Sequence, residues 1–178
     1  MKMQFTYNIF LIGFMGSGKS TVADYLCEKF DMDVVEMDQV IAERERMSIS
    51  DIFEKHGELY FRDLETKLLV ELQEKTNTVV SCGGGVAMRE CNVTEMKKNG
   101  KVVLLTAKPE TILERVENNH DRPLIENNKT VPFISDLMEK RRAKYEAAAD
   151  IIIETDGKNE LEICEELVHR LRTIDEEK

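Results

Sequence analysis

The sequence predicts an α/β fold built around a doubly wound parallel sheet. Two observations indicate it: short apolar runs rich in Val and Ile recur along the chain, and amphipathic stretches lie between them. Apolar runs of this length are typical of strands buried on both faces. Alternation of strands with helices forms right-handed βαβ units, which place the strands parallel to one another. We therefore predict strands at residues 9–12, 34–37, 78–81, 101–106 and 151–154.

Three of the intervening stretches carry apolar side chains at helical spacing, at residues 19–30, 58–74 and 161–171. The alternation continues without an internal repeat, a low-complexity tract or a linker, so we expect residues 1–178 to form a single domain. One polar, turn-rich segment at residues 118–130 interrupts it. Its length favours a functional lid, although an ordinary surface loop is the alternative.

The composition excludes several functional classes. The chain has 25 Lys and Arg against 35 Asp and Glu, a net charge of −10 that disfavours a nucleic-acid binder. No apolar run approaches the roughly 20 residues of a membrane-spanning helix. We therefore expect no nucleic-acid or membrane partner, and we also expect a monomer located in the cytoplasm. The cysteines show no paired spacing typical of a zinc site or a disulfide framework, and we expect reduced thiols at Cys27, Cys82, Cys91 and Cys164.

The most specific motif follows the first predicted strand. Residues 13–20 read Gly-Phe-Met-Gly-Ser-Gly-Lys-Ser and match the P-loop pattern G-x-x-x-x-G-K-[ST]. In a P-loop, backbone N–H groups surround a phosphate, the lysine reaches the β- and γ-phosphates, and the final hydroxyl binds Mg²⁺. A chance Gly-rich turn is the alternative, but the strand before the motif and the helix within it favour phosphate binding. The predicted nucleotide contacts are Gly16, Ser17, Gly18, Lys19, Ser20 and Thr21.

A P-loop protein also needs a carboxylate that helps to bind the magnesium ion, and this residue should follow a neighbouring strand. The third predicted strand leads into glycines and offers no acid, whereas the second ends in Glu36-Met37-Asp38. Side chains alternate along a strand, so the two acids should point to the same face. The alternatives are that Asp38 caps a helix beginning at Gln39 and that Glu36 is a solvated charge at the strand end.

The substrate side of the predicted site is rich in glycine and arginine. Gly83, Gly84 and Gly85 follow the third strand, at the edge where open α/β sheets bind ligands, although a loose turn is the alternative. Arg62 lies beside the apolar stripe of its helix, and Arg141 lies four residues from both Leu137 and Tyr145. This spacing predicts that Arg141 faces inward, with a snorkelling or salt-bridged surface arginine as the alternative. Two inward arginines indicate a substrate that carries a carboxylate.

Taken in order, these motifs resemble the shikimate kinases. Besides the P-loop, the second-strand acids and the triple glycine, the resemblance includes Gly-Glu-Leu-Tyr-Phe-Arg-Asp-Leu-Glu at residues 57–65, Arg-Pro-Leu at 122–124, and Arg141 with Tyr145. It extends over residues 8–171. The resemblance implies a P-loop kinase fold: a five-stranded parallel sheet of order 2-3-1-4-5, helices on both faces, and a mobile lid at about residues 118–131. It also implies transfer of the γ-phosphate of ATP to the 3-hydroxyl of shikimate, a step towards the aromatic amino acids, with Mg²⁺ as cofactor.

The resemblance also implies roles for individual residues. Asp38 would hold the substrate hydroxyls and act as the base or orienting group, and Arg62 and Arg141 would bind the substrate carboxylate. The middle glycine, Gly84, would offer its N–H to the ring hydroxyls, with Gly83 and Gly85 beside it.

On the nucleotide side, Arg122 of the lid would close over the phosphates and act catalytically with Lys19 and Asp38. Arg115 would lie against adenine, near a further loop at residues 156–158. Ser20 would bind Mg²⁺. Glu36 stands where the family pattern has Asp, and we expect it to act on the metal from the outer shell, through water.

Two other functions stay open at the level of sequence. Another small-molecule P-loop kinase, for gluconate or a nucleoside monophosphate, would share the P-loop, and gluconate also carries a carboxylate. A nucleotide-binding regulatory protein without turnover is the second alternative, for which Glu36 is the only hint.

Overall fold

Five parallel strands form the centre of the structure, in the order β2-β3-β1-β4-β5. This computed structural model describes residues 4–117, 125 and 127–178. The strands are β1 (Asn8–Ile12), β2 (Asp33–Glu36), β3 (Thr78–Ser81), β4 (Gly100–Thr106) and β5 (Ile151–Glu154). The fold class and strand order expected from the sequence are confirmed.

Seven helices connect and cover the strands in the described part of the chain, together with two short 3₁₀ turns. The helices are α1 (Lys19–Phe30), α2 (Met37–Glu45), α3 (Ile49–Glu71), α4 (Glu90–Lys98), α5 (Pro109–Val116), α6 (Val131–Ala148) and α7 (Glu160–Glu176). Within the described ranges, no helix combines the length and apolar character needed to cross a bilayer.

The core has one layer on each face of the sheet, because neighbouring side chains of a strand point to opposite faces. Ile9 and Leu11 of β1 pack in the cluster that contains α1 and α7 residues. Phe10 and Ile12, which alternate with them, pack in the cluster that contains residues of α2, α3 and α6. All four side chains are almost completely buried. The central strand is therefore held from both sides.

Several elements differ from their predicted bounds by one or more residues, and two of these differences affect the site. Strand β2 ends at Glu36, and α2 begins at the next residue without an intervening loop. Helix α3 begins at Ile49, before the predicted start at residue 58, because Ser48 caps its N-terminus. Gly57 interrupts α3 with a φ of 84°, a left-handed conformation that glycine adopts without strain. The second half of α3 can therefore change direction and carry Arg62 towards the sheet edge.

Candidate active site

The carboxyl ends of β1, β2 and β3 enclose a cleft of about 310 Å³. The strand register explains why these ends meet, because Ser81 of β3 pairs with both Leu11 of β1 and Glu36 of β2. Most of the predicted site residues line this cleft: Gly16, Gly18, Lys19, Ser20, Thr21, Glu36, Asp38, Gly83, Gly84 and Arg115. This is the edge at which open α/β sheets bind ligands.

The P-loop wraps around the N-terminus of α1. Gly13, Gly16 and Gly18 have φ values of 146°, 78° and 101°, which side chains rarely allow. Gly18 precedes α1 without a side-chain cap from the described residues, so the first N–H groups of the helix are available to an anion. Lys19 is almost buried, and its Nζ donates to the carbonyls of Gly13 at 2.8 Å and Phe14 at 3.1 Å. These bonds hold the lysine at the mouth of the loop.

Arg115 approaches the P-loop from α5. Its Nη1 donates to the carbonyl of Gly16 at 2.8 Å. The loop after β5 is fixed to the start of the same helix, because Asp156 accepts hydrogen bonds from Lys108 N at 2.8 Å and Thr111 Oγ1 at 2.6 Å. The two regions to which the resemblance assigns adenine contacts therefore adjoin through α5.

Oxygen atoms that could coordinate a metal ion cluster beside Ser20. The Ser20 and Ser81 hydroxyl oxygens lie 3.5 Å apart, and both hydroxyls hydrogen-bond to the Glu36 carboxylate. Burial raises the pKa of Glu36, with a contribution from Asp38 and Asp24, while the two serine hydroxyls oppose the rise. Hydroxyl and carboxylate oxygens are the ligands that Mg²⁺ prefers, and the ion keeps several waters. The donor set therefore fits magnesium, although no group of three or more His, Cys, Asp and Glu side chains in the described ranges could hold a metal by itself.

Asp38 reaches the cleft from a different element than predicted. It is the second residue of α2, so the expectation that Glu36 and Asp38 alternate along one strand is wrong. The alternative in which Asp38 caps a helix beginning at Gln39 is also wrong, because α2 begins at Met37 and its N-cap position is Glu36. Both carboxylates nevertheless line the same cleft.

Each glycine of the triple-glycine loop faces a charged side chain. A Cβ on Gly83 would lie 2.5 Å from Oε2 of Glu65 and 3.0 Å from Oδ1 of Asp38. A Cβ on Gly85 would lie 2.5 Å from the guanidinium carbon of Arg62. A Cβ on Gly84 would lie 3.2 Å from Nη1 of Arg141. The missing Cβ atoms thus allow four charged groups to converge on three consecutive residues.

Glu65 is a charged site residue that the sequence reasoning missed. Its side chain is 0 % exposed, and its Oε1 accepts a hydrogen bond from Arg62 Nη1 at 2.7 Å. Burial raises its pKa to about 7; the nearby Asp38 adds to the rise, and Arg62 opposes it. None of the described residues donates a hydrogen bond to Oε2. The i, i+3 spacing of Arg62 and Glu65 on one helix indicates an ion pair between them but not its burial.

Arg62 and Arg141 approach the glycine loop from different helices. The Nη2 of Arg62, on α3, also donates a hydrogen bond to Oε1 of the exposed Glu58 at 3.1 Å. Arg141 of α6 is buried, as its spacing predicts, with its guanidinium carbon 5.7 Å from the centre of the Phe14 ring. Arg141 Nη1 also donates to the hydroxyl of Tyr145 at 3.4 Å. The two arginines therefore lie over adjacent glycines, Gly85 and Gly84.

Part of the predicted site lies outside the described residues. Arg122 and most of the predicted lid, residues 118–124 and 126, belong to this part. The end of the lid segment is described: Thr130 caps α6, and its side chain accepts a hydrogen bond from Phe133 N at 3.3 Å.

Comparison with known proteins gives one consistent result. The protein-family model for shikimate kinase matches residues 15–172. The shikimate kinase of Persephonella marina is 44 % identical over 165 residues, which cover 93 % of this chain and 99 % of that protein. The enzyme of Sulfurihydrogenibium sp. is also 44 % identical and covers 93 % and 98 % of the two chains.

Solved structures agree. The shikimate kinase of Acinetobacter baumannii in complex with shikimate has a TM-score of 0.89 at 31 % identity, over 94 % of this chain and 93 % of that one. The enzyme of Aquifex aeolicus has a TM-score of 0.80 at 38 % identity, over 93 % and 96 %. A gluconokinase from Sinorhizobium meliloti has a TM-score of 0.63 over 98 % and 97 %, but only 18 % identity, so that similarity shows the fold alone.

Proposed function

This chain belongs to the shikimate kinase family, and we infer from that membership that it catalyses the ATP-dependent phosphorylation of shikimate. In this chain, one observation supports the inference most directly. Arg62 and Arg141 lie over adjacent glycines of the glycine loop, beside the P-loop. A guanidinium binds a carboxylate through paired hydrogen bonds, and two of them next to a phosphate site fit an acid that accepts a phosphoryl group.

We propose that the nucleotide binds along the P-loop and Arg115. The N–H groups at the start of α1 and the Lys19 ammonium would hold the phosphates, because both present positive charge to an anion. Ser20 would hold Mg²⁺ directly, and Glu36 would act on it through water. The ion, when bound, supplies charge neutralisation on the transferred phosphoryl group.

The acceptor would lie between the glycine loop and Asp38. Arg62 and Arg141 would bind its carboxylate, and the loop would offer backbone N–H groups to its ring hydroxyls. Asp38 would orient the attacking hydroxyl and accept its proton, because its carboxylate lines the cleft shared by the glycine loop and the P-loop. Arg122 would add positive charge as the bond to the γ-phosphate breaks.

We also propose that the protein is a cytoplasmic monomer. The free thiols support a location in a reducing compartment; they belong to Cys27, Cys82, Cys91 and Cys164.

A coupled assay of ADP release tests the reaction. With Mg²⁺ and ATP, ADP release should require shikimate, and gluconate or AMP should give no more than background. Phosphorus NMR of the product should show a phosphate monoester at the 3-hydroxyl. A Lys19→Met variant, prepared in the same way, controls for contaminating ATPases and should be inactive. Equal rates with gluconate and shikimate would contradict the proposal.

A further inference from the structure

Tyr145 connects the two parts of the proposed acid-binding site. It lies one turn after Arg141 on α6, and its side chain is only 6 % exposed. Its ring packs in the same core cluster as Phe61 and Val86, which lie next to Arg62 and the glycine loop. The side chain thus reaches the glycine loop from the core.

The hydroxyl of Tyr145 makes two hydrogen bonds. It donates to the carbonyl of Gly84 at 2.5 Å, and it accepts from Arg141 Nη1 at 3.4 Å. Burial raises the pKa of Tyr145, so the hydroxyl keeps its proton and remains a donor at neutral pH. The hydroxyl oxygen of Tyr145 therefore links the Gly84 carbonyl to the Arg141 guanidinium.

The glycine loop needs such a connection because three successive glycines restrict the backbone very little. Its other two carbonyls are held by backbone donors: Val86 N lies 3.1 Å from Gly83 O, and Met88 N lies 3.1 Å from Gly85 O. The middle carbonyl, that of Gly84, is held by Tyr145. A trans peptide places its C=O and the following N–H on opposite sides. Holding the Gly84 carbonyl towards α6 therefore fixes the Gly85 N–H in the opposite direction.

We propose that Tyr145 is a positioning residue for acid recognition: its hydroxyl sets the orientation of the Gly84 peptide and the place of the Arg141 guanidinium together. The inference rests on the proposed function, since it concerns the same acid-binding site. Tyr145 is not among the residues proposed to contact the phosphates or the attacking hydroxyl. Its loss should therefore affect recognition of the acid more than phosphoryl transfer.

Tyr145→Phe tests the proposal, because it removes the hydroxyl and keeps the buried ring. The KM for shikimate should rise about tenfold, as expected when a hydrogen bond to a charged group is lost. The KM for ATP should stay within about twofold, and kcat should fall by less than about threefold. Tyr7→Phe is the matched control, because its hydroxyl also donates to a single acceptor, Asp175 at 2.7 Å, which lies away from the cleft. This control should leave both KM values unchanged.

A double variant tests whether Tyr145 and Arg141 act together. In an Arg141→Ala background, the additional effect of Tyr145→Phe on the shikimate KM should be at most a third of its effect in the wild type. Full additivity would overturn the proposed connection. An unchanged shikimate KM in the single variant, or an equal rise in both KM values, would also overturn it. These results differ from failure of the proposed function, which would appear as a wild-type enzyme without shikimate-dependent ADP release.

Discussion

The buried carboxyl of Glu65 should make the stability of this protein depend on pH in a defined direction. Its pKa is raised from 4.5 to about 7 in the folded chain. The folded state therefore binds this proton more tightly than the unfolded state. The contribution of Glu65 to the free energy of unfolding should be largest below about pH 4.5, decrease as the pH rises through the folded pKa, and level off above it. A shift of this size corresponds to roughly 3 kcal/mol.

Glu65→Gln isolates this contribution, because glutamine has nearly the same shape and carries no titrating proton. We expect the stability of the variant, relative to the wild type, to rise by about 2.5 kcal/mol between pH 5 and pH 8. Urea unfolding followed by circular dichroism at several pH values measures the difference, and other titrating groups cancel because both proteins contain them.

Glu58→Gln is the matched control, since Glu58 accepts from the same Arg62 but its side chain is 54 % exposed. An ion pair exposed to water contributes little to stability. The free energy of unfolding of the Glu58→Gln variant should therefore change with pH in the same way as that of the wild type. Parallel curves for the wild type and Glu65→Gln from pH 5 to pH 8 would refute the reasoning. They would mean that the carboxyl reaches water or that Arg62 keeps it ionised.

Three further predictions concern the proposed chemistry. Arg141→Ala should raise the shikimate KM roughly 30-fold or more, because a carboxylate loses a charge-assisted partner, and should change the ATP KM far less; steady-state kinetics with each substrate varied gives both values. Asp38→Asn should nearly abolish turnover while calorimetry still detects ATP binding, and a fully active variant would contradict its role. Glu36→Asp should stay within about tenfold of the wild-type rate, whereas Glu36→Gln should raise the Mg²⁺ concentration required for half-maximal activity.

The sheet could be predicted from sequence because its strands are short apolar runs with clear boundaries. Strands β3 and β5 have the predicted bounds of residues 78–81 and 151–154. The end of β2 could not be predicted, since Met37 is apolar and fully buried and so resembles a continuation of the strand. In the structure Met37 is the first residue of α2, and its burial comes from helix packing. The same ambiguity placed Asp38 on the wrong element.

The geometry of the phosphate side could be predicted because a P-loop is a local motif: the glycines, Lys19 and Ser20 lie within one turn of chain and helix. The proposed acid-binding side is assembled from α3, α6 and the loop after β3. The inward face of Arg141 followed from its helical spacing, but the burial of Glu65 did not. A glutamate three residues after an arginine is typical of an exposed ion pair. Glu65 is buried because Gly83 has no side chain in the space that its carboxylate occupies.

The contacts of Arg62 bear on its proposed role, which is to bind an anionic substrate in a chain of net charge −10. Arg62 is held by two glutamates, Glu65 at 2.7 Å through Nη1 and Glu58 at 3.1 Å through Nη2. The Glu65 contact is buried, so breaking it would leave a charged group without a partner in a region of low dielectric. The Glu58 contact faces water, where an ion pair contributes at most about 1 kcal/mol. Under the proposed function, an incoming carboxylate would therefore displace Glu58 far more easily than Glu65. Glu65 would keep the guanidinium over Gly85 while the outer edge of the guanidinium became available to the substrate.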